Sequence, residues 1–151
     1  MSDTEAVTFD LDNELDDIED LPSFGAFPTG AYTIDLEKGI EFKKINEHPA
    51  MQVAMTLVTV EELKEDNLDE GELPPAEGDI ATCAFLMDNE IGQGFYKNFA
   101  RPIYEYLNVT KHKDAIEQSK GMRLTVALKR IHGKGDKKDQ QYNQFVNVGV
   151  V

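Results

Sequence analysis

The pattern of apolar and polar positions between residues 30 and 87 predicts β-strands. Residues 30–36 alternate as a half-buried strand does, with one apolar face made by Tyr32, Ile34 and Leu36. After Gly39, residues 40–45 are expected to continue this strand across a glycine bulge, which is how small barrels curve a long first strand. An almost unbroken apolar and β-branched run predicts a second strand at 51–60, and a third is predicted at 79–87.

A helical period follows the third strand. Within residues 94–107, apolar side chains recur every four residues, at Phe95, Phe99, Ile103 and Leu107. Because a helix usually closes one end of a small β-barrel, we expect this stripe to belong to the core and not to a ligand site. Pro102 lacks a backbone donor and should kink the helix or split it in two. A second short helical piece is predicted at 113–119, closed by Gly121.

The end of the chain predicts a β-hairpin with strands at 122–131 and 142–148. In the first strand an apolar face alternates with a polar one. The apolar face is Leu124, Val126 and Leu128, and the polar face is Arg123, Thr125, Ala127 and Lys129. The connecting residues 132–141 predict a flexible basic loop. The chain is thus expected to be mainly β with one helical segment, in the order β-β-β-α-β-β of the five-stranded OB-fold barrel, although a β-sandwich of the same strands stays open.

Charge is distributed unevenly along the chain, whose net charge is −14. Residues 1–20 contain nine acidic residues and no basic one, and residues 61–80 contain nine acidic residues and one lysine. Residues 92–151 reverse the sign, with eleven Lys and Arg against five acidic residues. Because phosphate binding depends on local Lys and Arg, the negative total does not exclude a nucleic-acid partner.

The chain divides into an acidic tail at 1–22 and one OB-fold-like domain at 23–151. High charge and few aromatic residues predict that the tail is disordered when the domain is free. Three roles stay open for the tail: it solubilises the protein, it competes with nucleic acid for the basic face, or it docks on partner proteins. The apolar residues available for docking are Phe9, Leu11, Leu15 and Ile18.

The patterns that catalysis or metal binding require do not occur. His48, His112 and His132 are scattered, and no phosphate-binding loop or dinucleotide fingerprint is present. The acidic residues of 61–77 are expected to form a solvated loop rather than an acid and base pair. The lone Cys83 lies in an apolar run, which predicts a buried thiol and a reducing, cytoplasmic location, and no apolar run is long enough to span a membrane. We expect no enzyme activity, cofactor, metal or membrane partner.

Four segments together resemble a known family. They are residues 27–32, the helix at 95–107, residues 121–126 and residues 142–147. In the order of the segments and in the types of residue they contain, they are similar to the small single-stranded DNA-binding proteins of bacteriophages that have an OB fold. The resemblance covers most of residues 27–150. The resemblance implies sequence-independent binding of single-stranded DNA in replication or recombination. It also implies an acidic tail that contacts replication or recombination proteins, although the family usually carries that tail at the C-terminus.

A nucleic-acid site of this kind needs cations for the phosphates and aromatic rings for the bases. The candidate residues are Phe42, Lys43, Lys44, Lys97, Arg101, Arg123, Lys129, Arg130, Lys134, Lys137, Lys138, Tyr142 and Phe145. For Tyr142 and Phe145, stacking on bases and packing in the core both stay open, as does the oligomeric state. Two other functions also stay open: a structural or assembly protein of a virus particle with a β-barrel and an acidic docking arm, and an acidic inhibitor that imitates DNA.

Overall fold

Alternation of buried and exposed residues builds six strands, and two helices follow the fourth. The computed structural model describes residues 26–132 and 141–151, so the predicted acidic tail at 1–22 lies outside it. The strands are β1 (Gly30–Leu36), β2 (Ile40–Ile45), β3 (His48–Leu63), β4 (Ile80–Leu86), β5 (Met122–His132) and β6 (Gln141–Val150), and the helices are α1 (Glu90–Leu107) and α2 (His112–Gln118). The protein is mainly β, as predicted. In the described ranges, no helix combines the length and the apolar character that crossing a membrane requires.

The six strands form one antiparallel sheet that curls into a half-barrel. Its order is β2-β3-β1-β5-β6, and β4 pairs with the second edge of β3. Thr56 of β3 shows the arrangement, because it lies between Asp35 of β1 and Ile80 of β4. β4 and β6 therefore form the two ends of the curl. Within the part of the chain that is described, each of them pairs with one strand only.

The predicted first strand is divided in two, which is why the sheet has six strands rather than five. β1 and β2 lie along the same edge of β3, as one long strand would. Between them, the five steps from Asp35 to Ile40 face only the three steps from Thr56 to Val53 on β3. The expectation of a continuous strand with a glycine bulge is therefore wrong, because the extra residues form a turn that separates two strands.

Packing against the end of α2 determines the shape of that turn. Gly39 has a φ of +68°, and a Cβ there would lie 2.7 Å from the backbone nitrogen of Lys120, so a larger residue would clash. The buried Ser119 hydroxyl accepts a hydrogen bond from the backbone N–H of Ile40 at 2.8 Å. The start of β2 is thus held by the residues that follow α2.

The inner faces of β1 and β5 form the centre of the core, as their alternation predicts. The residues they supply are Tyr32, Ile34, Leu36, Leu124, Val126 and Leu128, each at most 2% exposed. The two strands pair without a register shift, so that Ile34 lies opposite Leu124. Removal of this apolar surface from water is the main force that holds the sheet in its curled form.

Helix α1 packs against both end strands of the sheet, β4 and β6. Asn89 caps its first turn, because the Asn89 side chain accepts a hydrogen bond from the Gly92 N–H at 2.6 Å. A Cβ at Gly92 would lie 1.9 Å from the carbonyl oxygen of Leu86, so only glycine lets the helix start this close to β4. The helix continues through Pro102 to Leu107 as one element, so of the two expected effects of this proline, a kink or a split, the split does not occur.

The buried face of α1 is rotated relative to the predicted apolar stripe. Phe99 and Ile103 are fully buried, as expected, and Leu107 is partly buried. Phe95 is 45% exposed, because Tyr96 takes the inward position of that turn. The prediction that Phe95 belongs to the core is therefore wrong. The second predicted helical piece is confirmed as α2.

Candidate nucleic-acid interface

A groove separates the two end strands of the sheet, and we call it the seam groove. Residues 82–85 of β4 line one wall, and Ile131 with residues 142–145 of the β5–β6 hairpin lines the other. Phe95 and Asn98 of α1 complete the lining, and the volume is about 320 Å³. Every lining residue is uncharged, so the groove offers aromatic, aliphatic, hydroxyl, thiol and amide groups.

Three phenylalanines support the seam groove from the core side. The ring centroid of Phe99 in α1 lies 4.4 Å from that of Phe145 and 5.5 Å from that of Phe85. Such close ring pairs hold both walls against the helix. Phe145 therefore packs on the core with one side while it also lines the groove.

Two further aromatic rings line the seam groove and are partly exposed at its rim, one from α1 and one from the hairpin wall. Phe95 of α1 is 45% exposed and Tyr142 of β6 is 46% exposed. Tyr142 lies opposite Ile131 in the ladder between β5 and β6, so its ring is placed on the outer face of the sheet. A ring exposed to this extent can stack on a nucleobase while the rest of its surface contacts the protein.

Asn143 ties the first described residues of the chain to the seam groove. Its Oδ1 accepts a hydrogen bond from the Phe27 N–H, and its Nδ2 donates to the Phe27 carbonyl oxygen, both at 2.8 Å. The Cys83 thiol donates across the groove to the carbonyl oxygen of Asn143 at 3.7 Å. Burial raises the pKa of this thiol to about 12, so it is protonated at neutral pH. The predicted buried thiol is confirmed.

Among the basic residues predicted on the hairpin, Lys129 is exposed next to the seam groove in the strand register. It is exposed on the outer face of β5, directly opposite the groove residue Gln144. The predicted residues Lys134, Lys137 and Lys138 belong to residues 133–140, which lie outside the described residues. These eight residues connect β5 to β6 and therefore join the chain next to the groove.

Arg123 occupies the same outer face but already has a carboxylate partner. Its Nε donates to Oδ1 of Asp35 at 2.8 Å, and its Nη2 donates to Oδ2 at 3.1 Å. This hydrogen bonding lowers the pKa of Asp35 below its usual value. A phosphate at Arg123 would have to displace a two-pronged carboxylate contact.

Arg130 lies on the inner face of β5, where its side chain is only 4% exposed. Its guanidinium donates to both carboxylate oxygens of Glu72, at 2.7 and 2.9 Å, and to the carbonyl oxygen of Asn67 at 3.0 Å. Asp69 lies 3.5 Å away. Arg130 therefore anchors the acidic loop to the sheet and is not displayed with the other candidates. The expectation that the acidic residues of 61–77 form a solvated loop is wrong for Glu72, which pairs with this buried guanidinium.

A second groove lies on the other side of α1, and we call it the basic groove. Lys97 and Arg101, one helical turn apart, line it together with Glu105 and with His112 of α2, and its volume is about 680 Å³. The Tyr104 hydroxyl forms a hydrogen bond with Nδ1 of His112 at 2.7 Å. Among the described residues, no carboxylate forms an ion pair with Lys97 or Arg101.

The remaining candidates lie on β2, away from the seam groove. β3 separates β2 from β4, so Phe42, Lys43 and Lys44 are two strands from the groove wall. Phe42 is 54% exposed, and the Lys43 Nζ lies 4.0 Å from a carboxylate oxygen of Glu41. The structure therefore brings Tyr142 and Phe145 together in the seam groove, with Lys129 exposed on the neighbouring strand β5, and it places the β2 residues and the helix cations elsewhere.

Phe95 and Asn98 line the seam groove but are not among the residues that the sequence predicts for the site. A signal for Phe95 did exist, because Phe95 and Tyr96 are adjacent aromatic residues of one helix and only one of them can point inward. Within the described ranges, no group of three or more His, Cys, Asp or Glu is placed to hold a metal ion. Comparison with models of known protein families finds no match, and comparison with curated protein sequences finds none either.

Proposed function

We propose that the protein is a non-catalytic, sequence-independent single-stranded DNA-binding protein with an OB-fold-like barrel, acting in bacteriophage DNA replication or recombination. The observation that carries the proposal is the uncharged seam groove with Phe95 and Tyr142 at its rim. The lysine-containing residues 133–140 connect the two strands of its β5–β6 wall. Exposed rings beside cations are the combination that sequence-tolerant binding of single strands uses.

The uncharged lining favours bases over phosphates inside the seam groove. Bases stack on the Phe95 and Tyr142 rings, and the amides of Asn98 and Gln144 offer hydrogen bonds without selecting one base. A duplex hides the flat faces of its bases in the stack, so the groove discriminates against double-stranded DNA. The phosphates then face outward, toward Lys129 and the connecting residues.

In this proposal, the number of lysines that contact phosphates sets the expected salt dependence. If Lys129, Lys134, Lys137 and Lys138 each neutralise one phosphate, the plot of log affinity against log salt should have a slope of about −3. In this proposal the acidic tail at 1–22 serves partner proteins of replication or recombination, as in the family that the chain resembles.

The test is fluorescence anisotropy of a labelled oligothymidine with the full-length protein, repeated with duplex DNA and over a range of salt concentrations. We expect preference for the single strand and a steep loss of affinity with salt. Phe95→Ala should weaken binding, whereas Ile91→Ala is the matched control, because Ile91 is an exposed apolar residue of the same helix that lines neither groove. Absence of binding at low salt, or equal affinity for the duplex, would reject the proposal.

The second candidate function is a structural or assembly protein of a virus particle. The observation that favours it is that β4 and β6 each pair with one strand only in the described part of the sheet. Such free edges accept strands from other subunits. Analytical ultracentrifugation distinguishes the two functions, because an assembly protein should self-associate stably and show no salt-sensitive affinity for DNA.

A further inference from the structure

The acidic loop between β3 and β4 is held in a fixed shape. Arg130 donates to both carboxylate oxygens of Glu72, at 2.7 and 2.9 Å. Farther along the loop, the Ala76 N–H donates to Oδ2 of Asp79 at 2.8 Å. Residues 73–75 connect these two fixed points, and two of the three are prolines, whose φ is locked by the ring. The loop is therefore a preformed surface, which loses little conformational entropy when it binds.

Leu73 is the most exposed part of that surface. Its 83% exposure is the largest among the large apolar residues that the structure describes. Leu73 directly follows the anchored Glu72, so its exposure belongs to a fixed part of the loop. Glu70 and Glu77, on either side of it in the chain, are also exposed. The loop thus displays one apolar side chain between carboxylates.

The basic groove has the complementary chemistry. Part of its lining is apolar and part is cationic, and Glu105 is the one carboxylate among its lining residues. The apolar part is Met87, Ala100 and Val109, and the cations are Lys97 and Arg101. Across the described ranges, neither cation forms an ion pair. A leucine flanked by carboxylates fits such a groove, because its side chain leaves water while the carboxylates meet the cations.

The acidic loop and the basic groove are attached at opposite ends of β1. The Asn67 side chain of the loop donates to the carbonyl oxygen of Thr29, just before β1 begins, at 3.1 Å. The Gly121 N–H, just after α2, donates to the carbonyl oxygen of Leu36, where β1 ends, at 2.7 Å. The seven residues of β1 span roughly 20 Å. No ion pair of the described residues joins the loop to the groove, which leaves the groove accessible to the loop of another molecule.

We propose that the acidic loop of one molecule docks in the basic groove of a second copy of this chain. Leu73 contacts the apolar lining, and Glu70 and Glu77 lie beside Lys97 and Arg101. Because the loop and the groove are different surfaces, a pair of molecules keeps one free loop and one free groove, to which further copies can add. The contact does not involve DNA, so it stands or falls independently of the proposed function.

The association is expected to be weak and reversible. A contact made by one loop buries less than the roughly 1,200 Å² at which stable interfaces begin. The net charge of −14 repels two copies, but at about 0.15 M salt the Debye length of about 8 Å screens the charges that lie away from the contact. Self-association should therefore be visible only at high protein concentration.

The test is sedimentation equilibrium of full-length proteins without DNA, at physiological salt and up to millimolar protein. The unaltered chain is compared with a loop variant (Glu70→Gln, Leu73→Ser and Glu77→Gln), a groove variant (Lys97→Ala and Arg101→Ala) and an equimolar mixture of the two variants. The control variant, Lys38→Ala and Lys113→Ala, removes two exposed lysines that line neither groove and changes the net charge as the groove variant does. Urea unfolding checks that every variant keeps its fold.

We expect the average mass of the unaltered chain to rise past that of a dimer as its concentration increases, and the control variant to behave in the same way. The loop variant and the groove variant should each associate at least tenfold more weakly. Their mixture should form dimers and nothing larger, because only the groove of the first and the loop of the second are intact.

Three results would overturn the inference: an unaltered chain that stays monomeric, association that stops at a dimer, or a mixture that stays monomeric. Association that persists in both variants would assign it to another surface, such as the free edges of β4 and β6, and would overturn the inference as well. An equal loss in the control variant would do the same, because it would attribute the effect to net charge.

Discussion

The two grooves beside α1 differ in chemistry although they share one helix. The seam groove is bounded by strand edges and lined by uncharged groups, with Phe95 at its rim. The basic groove is bounded by α1 and α2 and displays Lys97 and Arg101. Consecutive residues of a helix are rotated by about 100°, so Phe95 and Lys97, two positions apart, face opposite sides of α1.

This difference separates the two kinds of contact that the proposed function requires, stacking on the bases of single-stranded DNA and ion pairing with its phosphates. Stacking surfaces occur on one side of α1, and Lys97 and Arg101, which form no ion pair within the described residues, occur on the other. Under the proposed function, the cations for the seam groove come from Lys129 and from the lysines of residues 133–140, which lie outside the described residues. Under the proposed function, a short single-stranded DNA that binds only in the seam groove should not contact Lys97 and Arg101. A longer DNA that crosses α1 should contact both.

The largest expected effect comes from removing the core support of the seam groove. Phe99→Ala removes a fully buried ring between Phe85 and Phe145, and we expect a loss of about 3–5 kcal/mol in the free energy of unfolding. Phe95→Ala, the same change one turn earlier on the exposed side, should cost less than about 1 kcal/mol. Urea unfolding measures both. Equal costs would contradict the observed rotation of the helix.

The next effect concerns the acidic loop rather than the groove walls. Arg130→Ala leaves Glu72 without its buried partner and should lower the free energy of unfolding by roughly 2–3 kcal/mol. Arg123→Ala, on the outer face of the same strand, breaks an exposed pair and should cost less than about 1 kcal/mol. A similar cost for the two variants would show that burial does not distinguish these arginines.

The same ion pair predicts a dependence of stability on pH. Hydrogen bonding with Arg130 lowers the pKa of Glu72 below its ordinary value of 4.5. The folded state then binds the proton less tightly than the unfolded state, so the contribution is fully present above about pH 4.5 and is lost as the pH falls through the lowered value. Urea unfolding between pH 7 and pH 3 should show the difference between the unaltered protein and Arg130→Ala shrink on acidification.

A smaller effect tests the stacking wall of the seam groove. Tyr142→Ala and Phe95→Ala should each weaken oligothymidine binding by about 1–2 kcal/mol, because each removes one stacking surface. The salt slope should stay unchanged, since neither residue contacts a phosphate. Anisotropy titrations at several salt concentrations measure both quantities. A changed slope with unchanged affinity would place these rings outside the interface.

The smallest effect tests whether bound single-stranded DNA crosses α1. The double variant Lys97→Ala and Arg101→Ala should leave the binding of a short oligothymidine within about twofold of the unaltered protein. With an oligonucleotide long enough to reach the basic groove, the magnitude of the salt slope should fall by about 1.4, the value for two phosphate contacts on a single strand. Weakened binding of the short oligonucleotide would instead move the bases to the basic groove.

The local pattern was sufficient for the elements that depend on alternation alone. The buried faces of β1 and β5 follow from a period of two residues, and the position of β4 and the short helix α2 were also predicted from local sequence. The local pattern did not predict which face of α1 is buried. Phe95 and Tyr96 compete for one inward position, and only the packing against β4 and β6 decides between them.

By itself, the sequence determined a mainly β chain with a buried cysteine, a closing hairpin and charge concentrated in two acidic blocks. Only the tertiary structure decided that Gly39 separates two strands, since the packing of Ser119 and Lys120 around that turn comes from residues far along the chain. It also decided that Arg130 is buried on Glu72 while Lys129 is exposed. Adjacent residues of a strand point to opposite faces, and which face meets the acidic loop depends on how the sheet curls.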